Sequence, residues 1–169
     1  MSRTSSIKEF ILDVLVQQTK EISEMNKGKY TYQAFALEAV AIELLGKVLS
    51  GNDLFKYIHG QPKIDFENAI ETLFPARYHE HKTLLYEEFR CGMLHTFGPK
   101  SKITLGEKEE SGPYRHLSFS PRENKLILYF EEFHKDFISA VHKLLDSNET
   151  KIQNKLNETF LYIGPVGSI

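Results

Sequence analysis

The spacing of apolar residues changes twice along this chain, and these two changes constrain the fold more than any other feature. As far as about residue 97, apolar side chains recur every three or four residues, which is the period of amphipathic helices. Between Lys100 and Phe130 they form short runs separated by glycine, proline and asparagine, a pattern typical of strands and turns. The helical period returns at Glu131. We therefore predict a mainly α-helical bundle with a small β-sheet inserted before the C-terminal helices.

The helical part of the sequence predicts four to five main helices. Ser6 and Glu9 have the spacing of a capping box, so we expect the first helix to run from there to about Lys27, with Gly28 as its stop. Thr31 can cap a second helix that is apolar on more than one face, as expected at a bundle centre or a subunit interface. Further helical segments are predicted after a cap at Asp65, from about Tyr78 to about His95, from Phe133 to Leu145, and from Asn148 through Phe160.

The inserted region contains three segments with strand character. We predict that they form a three-stranded antiparallel sheet. At 169 residues the chain is long enough to bury a core as a single domain. The predicted elements are strands at residues 102–105, 114–119 and 125–130, one domain over residues 1–163 with the β insertion at about 100–130, and a flexible tail at residues 164–169.

Composition argues against several classes of protein. The longest apolar runs are far shorter than the roughly 18 residues that a membrane span needs, so no membrane partner is predicted. The first residues lead directly into an amphipathic pattern without the features of a secretory signal, and Cys91 is the only cysteine. We therefore expect a cytoplasmic protein without disulfides. A net charge of −2 gives no overall sign of nucleic-acid binding, and no DNA partner is predicted.

The sequence contains none of the common cofactor or metal motifs. A phosphate-binding glycine loop, a dinucleotide fingerprint and paired cysteines with zinc spacing are all absent. His79 and His81 are two positions apart, which on a helix points them in nearly opposite directions and suits a single metal ion poorly. We therefore predict neither a cofactor nor a metal site.

The segment from residue 85 to residue 100 carries the most chemical information. Arg90 and His95 are separated by four residues near the end of a long predicted helix, and Glu87 lies one turn before the arginine. This arrangement resembles the HEPN superfamily (higher eukaryote and prokaryote nucleotide-binding domains), whose hallmark is an arginine, four to six residues and a histidine. The segment is also similar to bacterial proteins that carry Arg-Cys-Gly-Leu-x-His followed by Pro-Lys.

The resemblance implies a homodimer in which both motifs face one cleft and cleave single-stranded RNA without a metal ion. His95 would be the general base acting on the ribose 2′-hydroxyl, Arg90 would hold the scissile phosphate, and Glu87 would orient Arg90. These residue types suit the reaction, because imidazole titrates near neutral pH and guanidinium binds phosphate through two parallel hydrogen bonds. Lys100 and Lys102, which follow the motif, would guide the phosphate backbone.

Two other interpretations remain open. Arg90 and His95 can be structural, with Arg90 paired to Glu87 or a helix end and His95 capping the helix C-terminus. Alternatively, the protein is a non-catalytic RNA-binding or nucleotide-binding module, or a dimeric scaffold. An enzyme requires Arg90 and His95 to be exposed in one cleft, whereas a scaffold predicts Arg90 held by a carboxylate and His95 packed under aromatic rings. The apolar second helix favours a homodimer in either case.

Overall fold

The computed structural model describes residues 3–25, 31–107 and 113–163. Within these ranges the chain forms six helices and four short strands, so the mainly helical class with a small β component is confirmed. The last helix has only nine residues, and the other five are the main helices of the bundle. The predicted end of the first helix at Lys27 and Gly28, and the predicted tail at 164–169, lie outside the described residues.

The first three helices form the N-terminal half of the bundle. Helix α1 begins with the predicted capping box, in which the Glu9 amide donates to Ser6 Oγ at 3.2 Å and the Ser6 amide donates to Glu9 Oε2 at 2.9 Å. Helix α3 begins before the predicted cap at Asp65, because Pro62 is tolerated in a first helical turn. The bounds are Ile7–Phe10, a π-helical stretch Ile11–Val16 and Gln17–Met25 for α1, Thr31–Ser50 for α2, and Gln61–Leu73 for α3.

The second half of the bundle contains the helix that carries the predicted motif. This helix, α4, changes its winding several times before it ends at Thr96. It consists of a 3₁₀ stretch Ala76–His81, an α-helical turn Lys82–Leu84, a π-helical stretch Leu85–Arg90 and an α-helical end Cys91–Thr96. The two C-terminal helices are α5, Phe130–Leu145, and α6, Thr150–Glu158.

The strands form two separate pairs. Near the two ends of the chain, β1 (Arg3–Ser6) and β4 (Phe160–Ile163) pair antiparallel, although the sequence had predicted helix as far as Phe160. In the insertion, β2 (Ile103–Gly106) pairs parallel with β3 (Leu126–Tyr129). Both pairs are four residues long.

The predicted antiparallel pairing of three strands is therefore wrong, because β2 and β3 pair parallel. The middle segment does not form a full strand, because Leu117 adopts a left-handed backbone conformation with φ 59°. It still makes one antiparallel bridge to β3, between Phe119 and Leu126. The amide of Leu117 donates to the Ile127 carbonyl at 2.8 Å and supports this bridge. The insertion thus has β3 at its centre, with β2 parallel on one side and a short antiparallel contact on the other.

The core of the bundle is aromatic. Phe35 of α2, Phe89 of α4 and Phe133 of α5 are completely buried, and each ring contacts the other two. The centroids of Phe89 and Phe133 lie 5.3 Å apart with the planes nearly perpendicular, an arrangement that aromatic rings favour. These three rings hold α4 against the centre of the bundle and so fix the position of the predicted motif.

Candidate functional site

The arginine and histidine of the predicted motif lie in different surroundings on α4. Arg90 ends the π-helical stretch, and its side chain is only 12% exposed where it meets α2. His95 lies in the last turn of α4 on the exposed surface, without a hydrogen-bond partner among the described residues. Arg90 is therefore engaged in a contact within the chain, whereas His95 is open to solvent.

Glu43 of α2 is the carboxylate that holds Arg90. Its Oε2 accepts a hydrogen bond from the guanidinium, and its Oε1 lies 3.4 Å from Nζ of Lys47. The guanidinium carbon of Arg90 lies 5.5 Å from the centroid of the Tyr86 ring. Nε of Arg90 is buried and has no hydrogen bond to a described residue. A phosphate that binds Arg90 in this conformation has to compete with Glu43.

Glu87, predicted to orient Arg90, contacts a lysine instead. Its Oε1 lies 2.7 Å from Nζ of Lys63 on α3, and this lysine lowers the pKa of Glu87. Lys100 and Lys102 also lie close enough to lower that pKa. The structure thus does not pair Glu87 with Arg90, since α2 supplies the carboxylate for Arg90 while α3 supplies a cation for Glu87. The two predicted RNA-binding lysines therefore lie on the Glu87 side of α4.

A tight chain reversal follows α4 and depends on a glycine in the motif. Phe97 has a left-handed backbone with φ 55° and ends the helix. The chain then turns back along α4, and the Lys100 amide donates to the Glu88 carbonyl at 2.8 Å. A Cβ atom on Gly92 would lie 2.6 Å from the Gly98 carbonyl oxygen, closer than real contacts allow. The glycine after Arg-Cys is thus explained by the close approach of the returning chain.

An exposed apolar surface lies beside the end of α4. Phe97 is 83% exposed, Tyr32 is 51% exposed and Val40 is 41% exposed. These side chains surround a groove of about 510 Å³ between α1, α2 and the end of α4. We call this surface the apolar face, and it consists of Ile22, Tyr32, Gln33, Ala36, Leu37, Val40 and Phe97. Large apolar side chains grouped in this way are typical of interaction surfaces.

A buried polar network joins the β insertion to the helices. The Tyr129 amide donates to Nδ1 of His116 at 3.0 Å, so the ring proton lies on Nε2 and is donated to the Tyr78 hydroxyl at 2.8 Å. The Tyr78 hydroxyl in turn donates to Asp136 Oδ2 at 2.8 Å, and Asp136 forms an ion pair with Arg77. Burial, reinforced by the charge of Arg77, lowers the pKa of His116 to about 4. His116 is therefore a neutral link between strand β3 and helices α4 and α5.

Glu38 of α2 and His134 of α5 form a second buried pair. Glu38 is completely buried, with Oε1 hydrogen-bonded to Nδ1 of His134 and Oε2 without a partner among the described residues. Burial raises the pKa of Glu38 to about 7, although the hydrogen bond and charge of His134 act in the opposite direction. Neither Glu38 nor Glu43 was predicted as a site residue. The feature of the sequence that indicates them is the presence of acidic residues within a helix that is apolar on more than one face.

The His116 network makes stability depend on pH. The folded pKa of about 4 lies below the ordinary value of 6.5, so the unfolded chain binds a proton at mildly acidic pH that the folded protein does not. We expect the stability advantage of the parent over His116→Gln to shrink by about 3 kcal/mol between about pH 7 and about pH 4. Urea unfolding of both proteins across this range measures the difference. The raised pKa of Glu38 changes stability with pH in the opposite direction. Both proteins contain Glu38, so its contribution cancels in their difference. A constant difference would contradict the network.

The described residues thus define a helical bundle with an aromatic core, a β insertion and an apolar face beside the predicted motif. Across residues 3–25, 31–107 and 113–163 there is no group of three or more side chains able to hold a metal ion. No helix in the described part of the chain is long and apolar enough to cross a membrane. Comparisons with protein-family models, with curated proteins and with solved structures give no significant match.

Proposed function

We propose that this protein is a homodimeric, non-catalytic scaffold that associates through its apolar face and in which Arg90 is structural. The observation that carries the proposal is the position of Phe97, which is 83% exposed at the edge of an apolar groove. An exposed phenylalanine removes more apolar surface from water when it is covered than almost any other side chain.

The arrangement of Phe97 and the groove fits a second copy of the same chain. A two-fold symmetric interface uses the same surface on both protomers, so a protruding group and its receptor must lie side by side. Phe97 is the protruding group, and the groove beside it is lined by Tyr32, Leu37 and Val40 among others. One Phe97 can therefore enter the groove of the partner while the partner's equivalent ring enters the first groove. Two such insertions would form the centre of one interface.

The contact between Arg90 and Glu43 supports the non-catalytic part of the proposal. A catalytic phosphate clamp has to present its guanidinium to the substrate, but here the guanidinium is held within the protomer and is 12% exposed. His95 is not packed under aromatic rings, which a purely structural role had predicted, and it is exposed in the last turn of α4, two residues before Phe97. The proposal assigns His95 to the rim of the dimer interface.

The test of the dimer is the mass in solution of the parent and two variants. By light scattering at micromolar concentration, we expect the parent at twice the 19.5 kDa of one chain. Phe97→Ser should raise the dimer dissociation constant about 100-fold or more, because the loss of a central aromatic occurs twice in a symmetric interface. Phe55→Ser is the matched control, since Phe55 is 65% exposed away from the apolar face. A monomeric parent, or equal effects of both variants, would exclude the proposed interface.

A metal-independent ribonuclease is the second candidate, and the exposure of His95 favours it. His95 lies two residues before Phe97, so pairing through the apolar face would bring the two copies of His95 to the rim of one interface. Incubation of the dimer with single-stranded RNA in chelator separates the candidates. A scaffold leaves the RNA intact. A ribonuclease leaves 2′,3′-cyclic phosphate ends, and His95→Ala slows cleavage by about 100-fold or more.

A further inference from the structure

The β insertion contains a pocket that is separate from the apolar face and from the predicted motif. Thr104 and Gly106 of β2 lie opposite Ile127 and Tyr129 of β3, so these four residues share one face of the parallel pair. The opposite face contributes Ile103, Leu126 and Leu128 to the core. Tyr114, Ser120, Arg122 and Glu123 lie over the first face and border an open pocket of about 370 Å³. This volume lies in the range of small-molecule sites.

The wall of the pocket is fixed by backbone hydrogen bonds. The Ile127 amide donates to the Ser118 carbonyl at 3.0 Å, and the Ser120 amide donates to the Lys125 carbonyl at 2.8 Å. The base of the same loop is held by His116, which accepts a hydrogen bond from the Tyr129 amide at 3.0 Å. These hydrogen bonds hold the described residues of the pocket wall in place, which lowers the conformational entropy that a ligand would have to offset on binding.

Two tyrosines give the pocket aromatic surfaces. Tyr129 is 6% exposed, and its ring lies against Gly106, where an added Cβ would come within 2.7 Å of the ring carbon Cε1. Tyr114 is half-buried in the pocket wall. The absence of a side chain at Gly106 lets the Tyr129 ring lie close to the strand, where it lines the pocket. Aromatic faces of this kind suit a planar ligand.

The described lining of the pocket contains one arginine. Arg122 is exposed at the pocket and forms neither a hydrogen bond nor an ion pair with the described residues. Glu123 also lines the pocket, but its Oε2 lies 2.7 Å from Nζ of Lys125, which compensates its charge. The hydroxyl groups of Thr104 and Ser120 complete the polar part of the lining. Among the described residues that line the pocket, the uncompensated charge is therefore the positive charge of Arg122.

We propose that this pocket binds a small planar aromatic anion, with the ring against Tyr114 and Tyr129 and the anionic group on Arg122. The half-buried Tyr114 provides most of the contact area for the ring and Tyr129 lines the pocket beneath it, while the guanidinium provides a fork of parallel donors for a phosphate or carboxylate. The proposal does not depend on dimer formation or on the roles of Arg90 and His95. It concerns other residues and another surface of the chain.

The test compares two pairs of probes that differ only in the anionic group. The pairs are AMP with adenosine and indole-3-acetate with indole, each titrated into the protein and followed by calorimetry and by saturation-transfer NMR. In at least one pair, we expect the dissociation constant of the anionic member to be lower than that of the neutral member by about tenfold or more. If neither anion binds at millimolar concentration, or if each neutral probe binds as tightly as its anion, the proposal is wrong.

Substitutions then assign the binding to the pocket. Arg122→Gln should weaken the anionic probe about tenfold or more and leave the neutral probe unchanged, whereas Tyr114→Ser should weaken both. Arg115→Gln is the matched control, because Arg115 is exposed on the same insertion but does not line the pocket. Thermal unfolding of each variant confirms that the fold is retained. If Arg122→Gln and Arg115→Gln lose the same affinity for the anionic probe, the protein attracts anions in general, and the assignment of binding to the pocket is wrong.

Discussion

Glu43→Gln is expected to destabilise the protein by about 3 kcal/mol or more, because it leaves the guanidinium of Arg90 without its carboxylate in a nearly buried position. The two side chains are 11% and 12% exposed, so water compensates the lost charge only in part. The measurement is the free energy of unfolding in urea for the parent and the variant.

A double variant and a surface variant serve as controls for this prediction. Adding Arg90→Gln to Glu43→Gln should restore most of the stability, because it removes the unpaired charge. Glu87→Gln is the control, since Glu87 and Lys63 are exposed and water screens their pair, so this change should affect stability far less than Glu43→Gln does. If Glu87→Gln costs as much as Glu43→Gln, or if the double variant recovers nothing, Arg90 is not held as described.

Gly46→Ala should lower the free energy of unfolding by about 3 kcal/mol or more, through a steric effect alone. Gly46 lies where α2 crosses α3, and an added Cβ would lie 1.8 Å from the backbone carbonyl oxygen of Asp65. Backbone atoms cannot move aside as a flexible side chain can, so the two helices would have to separate. For a chain of this size, we expect the melting temperature to fall by roughly 10 °C.

Gly98→Ala provides the matched control for this second effect. A Cβ atom at Gly98 would meet nothing within 4 Å, so the same chemical change should alter stability by less than about 1 kcal/mol. Calorimetry of both variants compares them directly. Similar melting temperatures for Gly46→Ala and Gly98→Ala would mean that α2 and α3 do not cross as closely as the structure indicates.

The sequence predicted those features that depend on neighbouring residues. The capping box of Ser6 and Glu9 lies within one helical turn, and both of its hydrogen bonds are present. The end of α4 before Gly98-Pro99 and the change of period after Lys100 also follow from short stretches of chain. Such signals are readable because a cap, a stop or a hydrophobic period acts over a few residues and varies little with the rest of the fold.

The partners of the site residues were decided by tertiary structure. Arg90 and Glu43 are 47 positions apart, and their pairing exists only because α4 packs against α2 with this rotation. A spacing rule favoured Glu87, but the π-helical stretch and the neighbouring α3 direct that carboxylate to Lys63. The parallel pairing of β2 with β3 and the pairing of the two terminal strands likewise join distant segments.

The division between the two kinds of information has one physical cause. Periodicity and caps are local free-energy preferences, so the sequence by itself determined that this chain forms a helical bundle with a β insertion after α4. The ion pair of Arg90, the burial of Glu38 and the pocket beside Arg122 depend on how distant elements pack. How these elements pack depends on the apolar surface that the whole chain buries, and a short segment of sequence does not determine that total.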